Sequence, residues 1–417
     1  MTAVRRTGPR LSPALGRRVD LDLMRAFVVA GLVVFHSAVV FAAGTSWFVK
    51  DPRPSVGFTI FLVWGSLWGM PLLFVVSGMA AWHGMRTRSA GGFVRERVAR
   101  LLVPFVVGLV LLVPPMFYLE RLGQPGVHES YWQFWRVFLN GPAIAAQLLP
   151  RGSWMSGGVV FDPAHLWFLS VLLLFSITLL PAFWYLRRPG GIVLVDRVAR
   201  LAQRHSGAVL WVPALPMALV EVMFGPDANT GGWERLTYLF PLAYGYLIAS
   251  DRRFESVLRH GRRRALACAI VATVVLVGWA GVLRRSGVDV MGGSTRGWSA
   301  LQGLAGWLWI VAILGFSGAL MARRGTSGGS DGRARRVARY ANEAVLPCYL
   351  LHEPVIVALA SAIVAWHVPV LAKYLLLVIF SFTGTLIAYD VLIRRLRVTR
   401  LLFGMKPRAA ARAGTAD

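Results

Sequence analysis

The feature that most constrains this chain is a recurrence of apolar runs about 20 residues long, enough for a helix to cross about 30 Å of hydrocarbon. Ten such runs are present, at approximately 23–43, 58–82, 101–119, 164–186, 208–224, 234–250, 265–283, 300–322, 343–365 and 369–393. A segment buried in lipid must satisfy its own backbone hydrogen bonds, so each run is predicted to be a helix. Composition agrees. Hydrophobic residues make up 56% of the 417 and charged residues only 15%, whereas a soluble domain is about 25% charged. A disordered chain, a disulfide scaffold and an ordinary soluble enzyme are excluded.

The connectors test the helix count. Lys and Arg number 45 against 19 Asp and Glu, a net charge of +26. In a soluble protein that excess points to nucleic acid. Here no soluble domain carries a basic face, and no nucleic-acid partner is expected. With the N-terminus in the cytoplasm, segments 1–22, 83–100, 187–207, 251–264, 323–342 and 394–417 lie inside. They hold 34 basic residues and the outside segments hold eight. A miscounted helix would invert this pattern downstream, and no inversion occurs. The expectation is an all-α, polytopic bundle of about ten transmembrane helices with both termini cytoplasmic. It would sit in a cytoplasmic (inner) membrane, with Arg-rich loops against anionic lipids. Residues 1–18 read as a disordered cytoplasmic tail, 19–400 as one membrane domain, and 401–417 as a second cytoplasmic tail. A cleavable leader is the rival reading of the first 44 residues, but the apolar run there is too long and carries Arg25 and His36.

The informative segment is 20–37, DLDLMRAFVVAGLVVFHS. Arg25 and His36 are eleven positions apart, about 20° from three full helical turns. Both side chains therefore leave nearly one face, about 16 Å apart along the axis. Arg25 falls near the cytoplasmic boundary and His36 around the middle of the bilayer. Ionisable groups inside a membrane helix are costly and normally face a polar cavity. A neutral imidazole suits general-base work on a hydroxyl. A guanidinium at the cytoplasmic mouth suits a phosphate or carboxylate. Asp22, three residues before Arg25, can pair with it. Taken singly, Arg25 also fits a snorkelling topology charge and His36 an interhelical hydrogen bond. Their shared face favours function. Cys268 and Cys348 have no metal spacing, no nucleotide or metalloprotease motif is present, and no metal is expected.

The pattern D-x-x-R-x10-H at the first span resembles the acyltransferase-3 family of integral membrane O-acyltransferases. Four further segments agree in order: LLFVVSGM (72–79), FVRERVARLLVP (93–104), HLWFLSVLLLF (165–175) and ANEAVLPCYLLHEPVIV (341–357). In the first of these, Met79 stands where the family usually has an aromatic residue. The resemblance covers about 20–395, and the H-L-W-F-L and L-H-E-P forms look most like the glucan biosynthesis protein C branch.

The resemblance implies transfer of an acyl group from a cytosolic acyl-CoA, used as co-substrate with no tightly bound cofactor, to a hydroxyl of a glycan or other small acceptor. His36 would be the general base, with Arg25 and Asp22 beside it. Arg25, Arg97 and Arg100 would hold the donor. His165, Trp167, Ser77, His352 and Glu353 would form an acceptor or structural polar site. Each also has a plainer reading. Arg97 and Arg100 fit topology charges. His165 and Trp167 fit an aromatic belt, and Ser77 with Gly78 fits close helix packing. Two rivals remain. A transporter would show matching broken helices in its two halves; a scaffold would have no polar pocket. Convergence of Arg25, His36 and His352 would favour the enzyme. The acyl group, the acceptor and the oligomeric state are not readable.

Overall fold

The computed structural model describes residues 19–139, 163–225, 233–285, 296–324 and 332–405. Among these the chain is helical, with one isolated bridge between Ala42 and Ser55. The helices are α1 (Val19–Val39), α2 (Val56–Met85), α3 (Ala90–Leu122, with a wide turn at Val98–Leu102), α4 (Tyr131–Leu139), α5 (Trp167–Thr178), α6 (Leu180–Tyr185) and α7 (Pro189–Arg204). They continue as α8 (Ala214–Phe224), α9 (Leu239–Ser250), α10 (Arg252–Arg285), α11 (Arg296–Arg324), α12 (Gly332–Ile363), α13 (Val370–Ala388) and α14 (Arg397–Leu402).

Among the described residues, six helices are long and apolar enough to cross a membrane: α2, α3 and α10 to α13. The other four predicted runs are helical but short or broken. Within α1 the apolar part is Leu23–Val39, and run 164–186 is split between α5 and α6. Run 208–224 becomes α8, set at 107° to α7. Run 234–250 opens with a tight turn at Trp233–Tyr238 before α9. The packed chain also runs past the expected boundary at 400, since Phe403 and Met405 are buried. The rest of that tail, and residues 1–18, lie outside the described residues.

Prolines stand at the breaks, and two of the freed carbonyls are answered from a neighbouring helix. Proline has no N–H, so the carbonyl four residues before it loses its helical partner. Pro114 frees the Val110 carbonyl, which takes a bond from Trp135 Nε1 at 3.1 Å. Pro213 frees that of Val209, which takes one from Trp307 Nε1 at 2.9 Å. Near the ends of the short helices, Tyr246 donates to the Phe183 carbonyl (2.8 Å) and Tyr244 to that of Pro213 (3.0 Å). Such backbone is tolerated at membrane depth only where protein supplies the donor.

The centre of the bundle is α2, which packs on α1, α9 and α11. Its contact with α9 is a backbone-to-backbone approach. A Cβ on Gly78 would lie 2.0 Å from the Leu242 carbonyl oxygen, and one on Gly245 would lie 1.9 Å from that of Val75. Small residues permit such approach in membranes, which agrees with the packing reading of Ser77 and Gly78. On the other side, α1 packs on α12 and α13. The connector after α1 folds back on it: Lys50 donates to the carbonyls of Val39 and Ala42, where cations complement a helix C-terminus. Asp51, fully enclosed, meets Lys373 of α13 at 2.7 Å. At the other end, Arg253 bonds both Asp196 of α7 and Asp251, holding both carboxyls below their usual range.

Two stability predictions follow from these contacts, both read by thermal unfolding in detergent. Gly245→Ala should cost about 3 kcal/mol or more, because backbone rather than a flexible side chain must move. Gly69→Ala, which faces open space, should be neutral or stabilising. Lys373→Met alone should cost about 3–5 kcal/mol by stranding Asp51, and the double change with Asp51→Val should recover most of it.

Candidate functional site

Four ionisable side chains from three parts of the chain meet inside the bundle. His36 projects from the last turn of α1. The sequence placed it near the middle of a longer span. The helix instead stops at Val39, and the chain continues buried through Ala43, so the imidazole remains enclosed. Its Nδ1 lies 3.0 Å from Nε2 of His352, a fully buried residue of α12. The other nitrogen of His352, Nδ1, donates to the Tyr349 carbonyl at 2.6 Å. Glu353 is next in sequence, and its carboxylate lies 3.2 Å from Nδ1 of His165. These two side chains are 5% and 1% exposed.

His165 reaches this position through strained backbone. It occupies the tight turn Ala164–Leu166 that leads into α5. Ala164 has φ of 47°, in the left-handed region, which costs a residue with a Cβ about 1–2 kcal/mol. Two contacts across to α12 fix the turn: His165 Nε2 donates to the Leu350 carbonyl at 3.1 Å, and the Tyr349 hydroxyl donates to the His165 carbonyl. Leu350 is free to accept because Pro354, four residues on, has no N–H to give it. The L-H-E-P segment thus supplies two side chains and one unpaired carbonyl to the same site.

The resemblance put His165, His352 and Glu353 in one acceptor or structural polar site apart from His36, and the fold brings them against His36. Ser77 is half-buried on α2 and has no polar contact with this group among the described residues. Trp167 turns away from it. Its ring lies against Tyr238, centroids 5.4 Å apart, with the Arg235 guanidinium 5.3 Å above it. Asp390 pairs with Arg394 at 3.1 Å, as its i+4 spacing implied, and also accepts from Tyr340. His36, His352 and Glu353 offer ligand atoms within 4.8 Å of one another. A divalent cation would use such a set. In this arrangement, however, two of the atoms face each other at hydrogen-bond distance.

A second group lies toward the start of α1. Arg25 is half-buried, and its charge acts on that of Arg97 in α3. Arg97 stacks over Phe93, its guanidinium carbon 4.9 Å from the ring centre. Arg100 is turned aside: it donates to the Gly404 carbonyl and lies 3.6 Å from Glu96, which Arg88 also engages at 3.1 Å. Arg25, Glu96, Arg100 and Arg88 all act on the charge of Arg97, and Arg100 in addition serves the contact with the C-terminal segment. Arg25 does not join the histidines; eleven residues of helix, about 16 Å, separate it from His36. The side chain of Asp22 lies outside the described residues. The buried pair Asp51 and Lys373 had one signal in the sequence, a lysine inside an apolar run, but no spacing that named its partner.

Two guanidiniums held close repel, and an anion with adjacent phosphates relieves that. Inorganic pyrophosphate at fixed ionic strength should raise the melting temperature saturably, and Arg97→Ala should abolish the rise. An unchanged melting curve in the wild type would show that this pair is no anion site.

Comparison with known proteins places the chain. The acyltransferase-3 family model, described as "Acyltransferase domain", matches residues 18–390. Among curated proteins, the chain is similar to the glucans biosynthesis protein C of Escherichia coli O1:K1 and of Escherichia coli O9:H4 (strain HS), at 25% identity over 160 residues in each case. That alignment covers 38% of this chain and 37% of each relative, well under half of their length. No solved structure matches the chain.

Proposed function

The chain belongs to the acyltransferase-3 family of membrane acyltransferases, and on that footing we propose that it moves an acyl group from a cytosolic acyl-CoA to a hydroxyl of a glycan or other small acceptor. His36 is the general base. The observation that carries this reading is the enclosed group of His36, His352, His165 and Glu353. A scaffold has no use for three buried ionisable side chains around a half-buried His36. Arg25 stays apart from His36 and His352 rather than converging with them, so it is the family match that favours an enzyme over a carrier. The glucan named for the relatives favours a glycan acceptor, and acetyl or succinyl are the acyl groups to try first.

The steps balance on this chain's residues. His36 takes the acceptor's hydroxyl proton as the oxygen attacks the thioester carbonyl. The tetrahedral intermediate collapses with cleavage of the carbon–sulfur bond. The proton on His36 leaves with the CoA thiolate. Direct transfer is favoured because, among the described residues, no serine or cysteine is hydrogen-bonded to a base as an activated nucleophile would be. Arg25 and Arg97 receive the CoA phosphates, so the donor enters beside the start of α1 and its thioester extends along α1 toward His36. This geometry goes with ten membrane segments, the six long helices plus the four short or broken runs, with both termini cytoplasmic in an inner membrane. The broken segments line the side from which the acceptor arrives.

The test begins with the donor. Acetyl-CoA, succinyl-CoA and free CoA should each be titrated against the melting temperature of the purified protein. A ligand at 100 times its dissociation constant adds about 2.7 kcal/mol, and Arg25→Ala should lose that shift. With a glucan oligosaccharide as acceptor, His36→Ala should lower transfer by about 10²–10⁴-fold with an unchanged melting temperature. Wild-type turnover in His36→Ala would remove the general base, and no response to any CoA species would point to a different donor.

A further inference from the structure

The reading of His36 as base leaves open which of its nitrogens does the work and why two more histidines and a glutamate surround it. The backbone answers this. A carbonyl oxygen can only accept, so each ring nitrogen that touches one must carry a proton. His352 Nδ1 faces the Tyr349 carbonyl and is therefore N–H. In the neutral ring that leaves a lone pair on Nε2, aimed at His36 Nδ1 from 3.0 Å. Two lone pairs would repel at that distance, so His36 Nδ1 carries the proton and donates. The Leu32 carbonyl, one turn back on α1, also reaches the His36 ring; sharing the Nδ1 proton, that bond leaves the lone pair of His36 on Nε2. By the same rule His165 Nε2 is N–H toward Leu350. Its Nδ1 and the Glu353 carboxylate, 3.2 Å apart and both enclosed, then share one proton between them.

We infer that His352 is the positioning residue that holds His36 in the tautomer with Nε2 free, and that Glu353, in a pair with His165 that is neutral overall because it shares one proton, turns a carboxylate oxygen toward the imidazolium when His36 takes a proton. Two consecutive carbonyls of α12, those of Tyr349 and Leu350, with that of Leu32 thereby dictate the protonation of three imidazoles. Glu353 is suited to this because its oxygen lies within 4.8 Å of the ligand nitrogens of both His36 and His352. No atom of the substrate need touch His352, Glu353 or His165. This inference rests on the proposed general-base role of His36, and its test separates the two.

Nitrogen-15 NMR of histidine-labelled protein in detergent reads tautomers directly, with the His36 signals assigned by their loss in His36→Gln. In the wild type, His36 should be protonated at Nδ1 and bare at Nε2. In His352→Ala that preference should weaken. In His352→Gln it should return, because the side-chain carbonyl of Gln can accept from Nδ1–H. Transfer from succinyl-CoA to a glucan oligosaccharide should follow the same order: a fall of about 10²-fold or more in kcat for His352→Ala, with KM little changed, and partial recovery in His352→Gln. Glu353→Gln should lower kcat and leave the His36 tautomer intact. A merely structural role for His352 would instead lower the melting temperature of both variants together, with no rescue by Gln.

Protonation of His36 at Nε2 in the wild type overturns the inference whatever the protein transfers. So does stoichiometric zinc in the purified protein that is lost in His352→Ala, because a metal would claim the same lone pairs. If the wild type transfers no acyl group from any CoA thioester while His36 shows the expected tautomer, the proposed function fails and the hydrogen-bond assignment stands.

Discussion

A carbonyl freed inside a membrane protein has no water to turn to, and it must find a donor on a neighbouring element. Much of this bundle answers that demand. Trp135 reaches back to Val110, Trp307 to Val209, and His165 to Leu350. In each case a proline four residues later has removed the helical partner. The tryptophans use the device for packing, since each pins a break in one helix to the face of another. With His165 the same device places a titratable ring, and the donor it spends on the backbone decides what its other nitrogen can do. Fold and site are thus two uses of one constraint.

The close approach of α2 and α9 through Gly78 and Gly245 serves a related end. It lets a short helix of twelve residues contact the central helix without side chains between them. Tyr246, on the same helix, can then stack on Phe183 with ring centres 4.0 Å apart and bond its carbonyl. On the opposite side, Asp51 and Lys373 close the hairpin of α12 and α13 against the connector after α1. A buried ion pair adds little net stability against apolar packing. It does fix which loop meets which hairpin, and so where α1 ends. His36 stands in that last turn, and the position of the proposed base depends on this register.

Much of this was legible in the residues. The apolar runs located the six helices long enough to cross a membrane among the described residues, because burial in lipid demands a continuous stretch of sequence. The shared face of Arg25 and His36 followed from helical arithmetic. The prolines at 114, 181 and 213, which the reading of the sequence did not use, stand where the long apolar runs are interrupted. The partners were not legible. His165 and Glu353 are separated by 188 positions, and nothing local to either names the other. The turn at Ala164 that aims His165 has a backbone conformation no residue type there announces. Arg97 and Arg100 had equal claims in the sequence; only packing showed that one stacks over Phe93 and the other serves the C-terminal segment.

Pro354 has a consequence for how this protein can change. A residue with an N–H at that position would restore the ordinary helical bond to Leu350 and relieve the bend, a local gain of about 3 kcal/mol for removing proline from a helix interior. The same bond would compete with His165 for the carbonyl and release its ring to rotate. The more comfortable helix would hold the less ordered reaction centre. Helix stability and the order of the histidine group therefore pull this one position in opposite directions.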